Sequence, residues 1–132
     1  MAPMTFRQYL TRWLPAFLLM AVIFLLSSLP SEDIPHYGSL DLLIKKGGHA
    51  LGYALLAIAY FYALPRSLSS IYRAIIALLM AILFALSDEF HQSFVQGRNS
   101  SLTDVFIDTM GAAVGLAVAL VYSSNSRSNS RG

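Results

Sequence analysis

The chain has 132 residues, 56% of them hydrophobic and only 12% charged, with a mean hydropathy of +0.60. A soluble domain carries about 25% charged residues, so this sequence cannot clothe a water-facing surface and reads as an integral membrane protein of one domain. The absence of cysteine excludes disulfides and thiolate chemistry, and a formal charge of +2 on scattered basic residues gives no basis for a nucleic-acid partner.

Four apolar spans follow in chain order, at 13–29, 46–64, 71–92 and 104–122. A span of about 20 apolar residues crosses the hydrocarbon core. The first has a rival reading as a secretory signal peptide, because Arg7 and Arg12 precede it. No A-x-A-like cleavage site follows, and Ser27-Ser28-Leu29-Pro30 ends the run, so a retained anchor is expected. Stretch 30–45, with Pro30, Pro35 and Gly38, and stretch 93–103, with Gly97, Asn99, Ser100 and Ser101, read as turns, and 65–70 as a short hairpin link. The Ser/Asn/Arg-rich end at 123–132 reads as a disordered tail after a membrane domain over 1–122.

Six basic residues, Arg7, Arg12, Arg66, Arg73, Arg127 and Arg131, fall on one side of these spans, and Lys45, Lys46 and Arg98 on the other. Lys and Arg favour cytoplasmic loops, which puts both termini in the cytoplasm. The expected fold is an all-α bundle of four transmembrane helices. All seven acids, Glu32, Asp33, Asp41, Asp88, Glu89, Asp104 and Asp108, and the histidines His36, His49 and His91, then gather at the outer face. Acids entering apolar segments are costly, so their gathering points to a site.

Spacing sorts these residues onto faces. Lys46, His49 and Tyr53 recur at intervals of three and four, so they share one side of the second helix. At the end of the third, Glu89 and Gln92 are expected to face inward together, with Asp88 nearer solvent. On the fourth, Asp104, Asp108, Gly111 and Gly115 form one stripe, with Asp104 a candidate cap. The glycines allow close helix approach, and Gly48 and Gly52 offer a matching small surface on the second helix. The expected functional cluster is Lys46, His49, Tyr53, Glu89, Gln92, Arg98, Asp104 and Asp108. A purely structural salt-bridge network is its competitor.

Several pieces, in order, resemble the VanZ-like family of small bacterial membrane proteins. They are Leu26-Ser27-Ser28, Lys46-x-x-His49-x-x-x-Tyr53, Ser87-x-Glu89-x-x-Gln92-x-Phe94-x-x-Gly97-Arg98 and Asp104-x-x-x-Asp108-x-x-Gly111-x-x-x-Gly115. Gln96 stands where a proline is common, and Asp108 where Asn is frequent. The resemblance implies a multi-pass protein of the bacterial inner membrane and, through the family's name, a link to resistance against teicoplanin, a lipid-tailed glycopeptide antibiotic.

The favoured function is a membrane protein that binds or modulates a lipid or lipid-linked envelope component. The alternative is a membrane enzyme acting on a lipid or cell-wall precursor, with His49, Glu89 and Asp108 as acid/base groups or as holders of a divalent metal. Glu89-x-His91 is not an H-E-x-x-H motif, and no serine-centred nucleophile elbow is present, so no metal or other cofactor is assigned and catalysis stays open. A small transporter is the third reading. The cytoplasmic halves of the expected spans carry no polar path to support it. A homo-oligomer is left open.

Overall fold

The structure, a computed structural model, describes residues 5–30 and 38–129, apart from the side chains of Ser39, Asp41, Leu42, Arg127, Ser128 and Asn129. Within them the chain is all-helical: α1 (Phe6–Ser27), a 3-10 turn (Gly38–Leu40), α2 (Asp41–Ala63), α3 (Ser70–Gln92) and α4 (Leu102–Asn129). Glu32, Asp33, Pro35 and His36 lie outside the described residues.

Three of the helices, α1, α3 and α4, begin where side chains satisfy their first N–H groups. Thr5 Oγ1 accepts from the Gln8 N–H at 3.4 Å while Gln8 Oε1 accepts from the Thr5 N–H at 2.8 Å. This reciprocal cap starts α1 at Phe6, earlier than the apolar run alone suggests. Ser69 Oγ accepts from the Tyr72 N–H and starts α3. At α4 the capping oxygen belongs to Ser101, which accepts from the Thr103 N–H at 3.1 Å. Asp104 is therefore not the cap; it sits in the first turn, where the helix dipole favours a carboxylate. α4 also continues through Ser123–Asn129, which sequence alone reads as an irregular tail. Ser123 and Ser124 turn their hydroxyls back onto the carbonyls of Leu120 and Val121, so these polar residues are accommodated without leaving the helix.

α1, α3 and α4 are each long and apolar enough to cross a membrane. α2 is the hub, packed against all three, and its polar start at Lys46-Gly-Gly-His49 lowers its mean apolarity. Its Tyr53, Leu56, Ala57, Tyr60 and Phe61 form the middle of the core. Leu14, Leu18 and Leu25 of α1, Leu79 and Leu83 of α3, and Phe106, Val114 and Val118 of α4 face outward. So broad an apolar exterior suits acyl chains and would be an aggregation hazard in water.

Small residues set the helix spacing. Ala74, Ala77, Ala81 and Ala85 run down the buried face of α3. Between α2 and α4 the approach is closer still. A Cβ at Gly111 would collide with the carbonyl of Ala50, and one at Gly115 with that of Ala54. The close α2–α4 packing expected from sequence is present, but its partners differ. Gly48 has open space beside it, and Gly52 faces Ile23 of α1, so the α2 side of the seam is Ala50 and Ala54. Alanine suffices because the glycines of α4 make all the room.

Candidate functional site

The connection between α3 and α4 places one arginine. The Arg98 N–H closes a turn onto the Val95 carbonyl at 3.2 Å, with Gly97 in the left-handed region at φ +73°. The turn forms with Gln96, a residue with a free choice of φ, ahead of Gly97. It aims the Arg98 guanidinium at the end of α1, where Nε donates to the Leu29 carbonyl (3.2 Å) and Nη2 to the Leu26 carbonyl (3.0 Å). These carbonyls lie at and just past the C-terminal end of α1, where the helix dipole favours a cation.

Around this clamp lies a cavity of about 290 Å³. α2 supplies Lys45, Lys46 and His49, α3 supplies Glu89 and Gln92, and α4 supplies Asp104, Ile107 and Asp108. Gly97, Arg98 and Asn99 close it from the connecting turn. The structure thus brings together Lys46, His49, Glu89, Gln92, Arg98, Asp104 and Asp108 from three helices and a turn. Tyr53 is the exception. It is fully buried beneath the cavity, its ring centroid 6.0 Å from that of Phe84 and its hydroxyl without a hydrogen-bond partner.

The polar groups divide into four sets. Lys46 Nζ meets Asp104 Oδ1 at 2.6 Å, a half-exposed ion pair at the rim. Below it, His49 Nδ1 lies 3.8 Å from Asp108 Oδ1, too long for a good hydrogen bond and close enough for charge attraction. Asp108 is 1% exposed, and neither of its oxygens accepts a hydrogen bond. Glu89 is 6% exposed, and its Oε2 accepts from the Ser101 N–H at 2.8 Å, which ties α3 to the start of α4.

The fourth set was not anticipated. Asp88, expected nearer solvent, is 2% exposed and the more deeply buried of the adjacent acids. Its Oδ2 accepts from Ser27 Oγ at 2.7 Å and from Gln92 Nε2 at 3.0 Å, and Gln92 also donates to Ser27 Oγ at 3.2 Å. Gln92 therefore serves Asp88 rather than extending the face of Glu89, although it also reaches the cavity wall. Consecutive helical residues point about 100° apart. Both acids are buried because α3 has a neighbour on each side: α1 on that of Asp88, and α4 with its preceding turn on that of Glu89. Beside this ring His91 Nε2 lies 2.9 Å from Ser28 Oγ and its ring stacks on Phe24 at 4.3 Å. In the sequence Ser27 reads only as part of the Ser27-Ser28 pair that ends the first apolar run and of the Leu26-Ser27-Ser28 piece of the resemblance, with no partner named for it.

A second cavity, of about 440 Å³, adjoins the first between α1 and α2. Leu19, Val22, Ile23 and Leu26 line it from α1, and Ile44, Leu51, Gly52 and Leu55 from α2. It shares Lys45, His49 and Arg98 with the polar cavity. Among the described residues no three His, Asp or Glu side chains come together in a way that could hold a metal ion.

No curated protein and no solved structure matches the chain. A family model described as VanZ/LLP1 matches residues 12–123. That stretch runs from the first helix into the last and encloses every residue of both cavities, so the chain belongs to the VanZ/LLP1 family.

Proposed function

We propose that this protein holds an amphiphile, a lipid or lipid-linked envelope molecule, with its polar part in the cavity under Arg98 and its tail in the groove between α1 and α2. The observation carrying this reading is the junction. A charged cavity and an apolar groove share a wall of Lys45, His49 and Arg98, which is the shape complement of a molecule with one wet and one greasy end. A lipid-tailed glycopeptide of the teicoplanin type is one molecule of that build, and a resistance role would follow from its capture. The site lies at the outer face of the bacterial inner membrane, because the basic residues at the opposite end favour the cytoplasm. A cysteine at Ser100 then reacts with an impermeant thiol reagent from outside, and one at Ser69 does not; the reverse labelling overturns this orientation.

The binding test is lipid-resolved mass spectrometry of the purified protein. Wild type should carry a bound amphiphile that Glu89→Ala loses from the polar side and Leu51→Trp loses by filling the groove. Retention by both variants rules the reading out. The His49–Asp108 pair facing the cavity supports a second reading, acid/base catalysis on such a molecule. It requires a processed lipid that wild type makes and His49→Ala does not.

A further inference from the structure

We infer that the molecule bound here is an aminophospholipid, a glycerophospholipid whose phosphate carries a primary ammonium, as in phosphatidylethanolamine. This rests on the amphiphile reading above and adds the order of charge along the guest. The groove begins apolar, with Leu19, Val22, Leu51 and Leu55. The residues it shares with the polar cavity, Lys45, His49 and Arg98, are all basic. Past that junction the walls turn acidic, with Glu89, Asp104 and Asp108. The protein therefore reads apolar, cationic, anionic. Phosphatidylethanolamine, from tail to head, reads apolar, anionic, cationic, so each zone of the lipid meets its complement.

Asp108 supplies the sharper argument. Asp104 already has Lys46 at 2.6 Å and Glu89 has the Ser101 N–H, but Asp108, which lines the cavity, is buried with no hydrogen bond to either oxygen and only the His49 ring nitrogen nearby, at 3.8 Å. A buried carboxylate without donors is costly, and a primary ammonium brings three. A trimethylated ammonium brings none. A glycerol headgroup brings hydroxyls but no cation for Asp108 beneath its phosphate. Size agrees: small-molecule sites run from roughly 300 to 1,000 Å³, and about 290 Å³ suits a compact head better than a sugar chain.

The test measures binding of chain-matched phosphatidylethanolamine, phosphatidylcholine and phosphatidylglycerol to the full chain in detergent, by native mass spectrometry. Wild type should prefer phosphatidylethanolamine by about tenfold or more, the worth of one charge-assisted hydrogen bond. Asp108→Asn should remove that preference and leave phosphatidylglycerol binding unchanged. Glu89→Gln, checked for native helicity, serves the same purpose should Asp108→Asn not fold. Equal binding of all three lipids by wild type, reduced for all by Leu51→Trp, overturns the headgroup assignment and leaves the amphiphile reading standing. No binding of any lipid, with none carried through purification, removes both.

Discussion

At one end of the bundle, Arg12 and Arg73 reach the carbonyls that finish α2; at the other, Asp108 faces a cavity with neither oxygen hydrogen-bonded. Arg12 Nη2 donates to Tyr62 and Leu64, at 2.9 and 2.6 Å. Arg73 donates through Nε and Nη2 to Phe61, at 3.1 and 2.6 Å, and lays its guanidinium 4.1 Å from the centroid of the Phe61 ring. The cavity at that end, between α3 and α4, is lined by Ser70, Ile71, Leu120, Val121, Ser123 and Ser124 and carries no charge. Both ends contain buried ionisable groups. The arginine end directs its donors onto the backbone it needs to close a helix. The carboxylate end leaves the Asp108 oxygens without hydrogen bonds in the wall of a cavity. Buried charge is therefore a poor marker of a site by itself; unspent hydrogen-bonding capacity facing a cavity is a better one.

Substitutions separate the two behaviours, and the seam that joins them sets the scale. Gly111→Leu should be the most damaging change, at least about 3 kcal/mol, because the obstructing atoms belong to the Ala50 backbone and cannot rotate away. Thermal unfolding in detergent should show little cooperative melting. Arg73→Ala should cost about 2–3 kcal/mol through lost charge-assisted bonds to Phe61, while lipid binding by the folded fraction stays at the wild-type level. A fall in binding at unchanged stability would break the contrast between the ends. Ser27→Ala should cost about 1 kcal/mol, typical of an interhelical hydrogen bond in a membrane protein, by removing one donor from Asp88. Asp108→Asn should change stability least, by less than about 1 kcal/mol in either direction, since it breaks no hydrogen bond made in the structure. A large destabilisation would mean that Asp108 belongs with the arginines as a structural group.

Much of the cavity was legible because helical spacing is rigid. Lys46 with His49, and Asp104 with Asp108, had to share faces once their helices were identified. Glycines on the face of Asp104 and Asp108 could be read as a contact, since a contact on that stripe turns the acids inward as well. What escaped depended on neighbours rather than on spacing. Whether Asp88 or Glu89 is buried turns on how many helices flank α3, and a single-helix argument allows only one inward face. Gln92 suits either acid by position, and Ser27, whose hydroxyl accepts from Gln92 and settles its choice, lies more than sixty residues away in the chain. Arg12 and Arg73 were read only as topology markers, because their partners are backbone carbonyls, which leave no trace in side-chain patterns. The start of α1 is written in Thr5-x-x-Gln8, a capping box that lies ahead of the apolar run from which the span at 13–29 is read.

The groove between α1 and α2 is walled by Val22, Leu26, Leu51 and Leu55, all with substantial outward exposure. A chain lodged there can enter sideways from the surrounding leaflet without its hydrocarbon ever touching water. Occupancy is then governed by the mole fraction of the guest among its neighbours in that leaflet, not by its aqueous concentration. A modest intrinsic preference could keep the groove filled wherever the matching lipid is abundant, and the same protein would empty as that lipid is diluted.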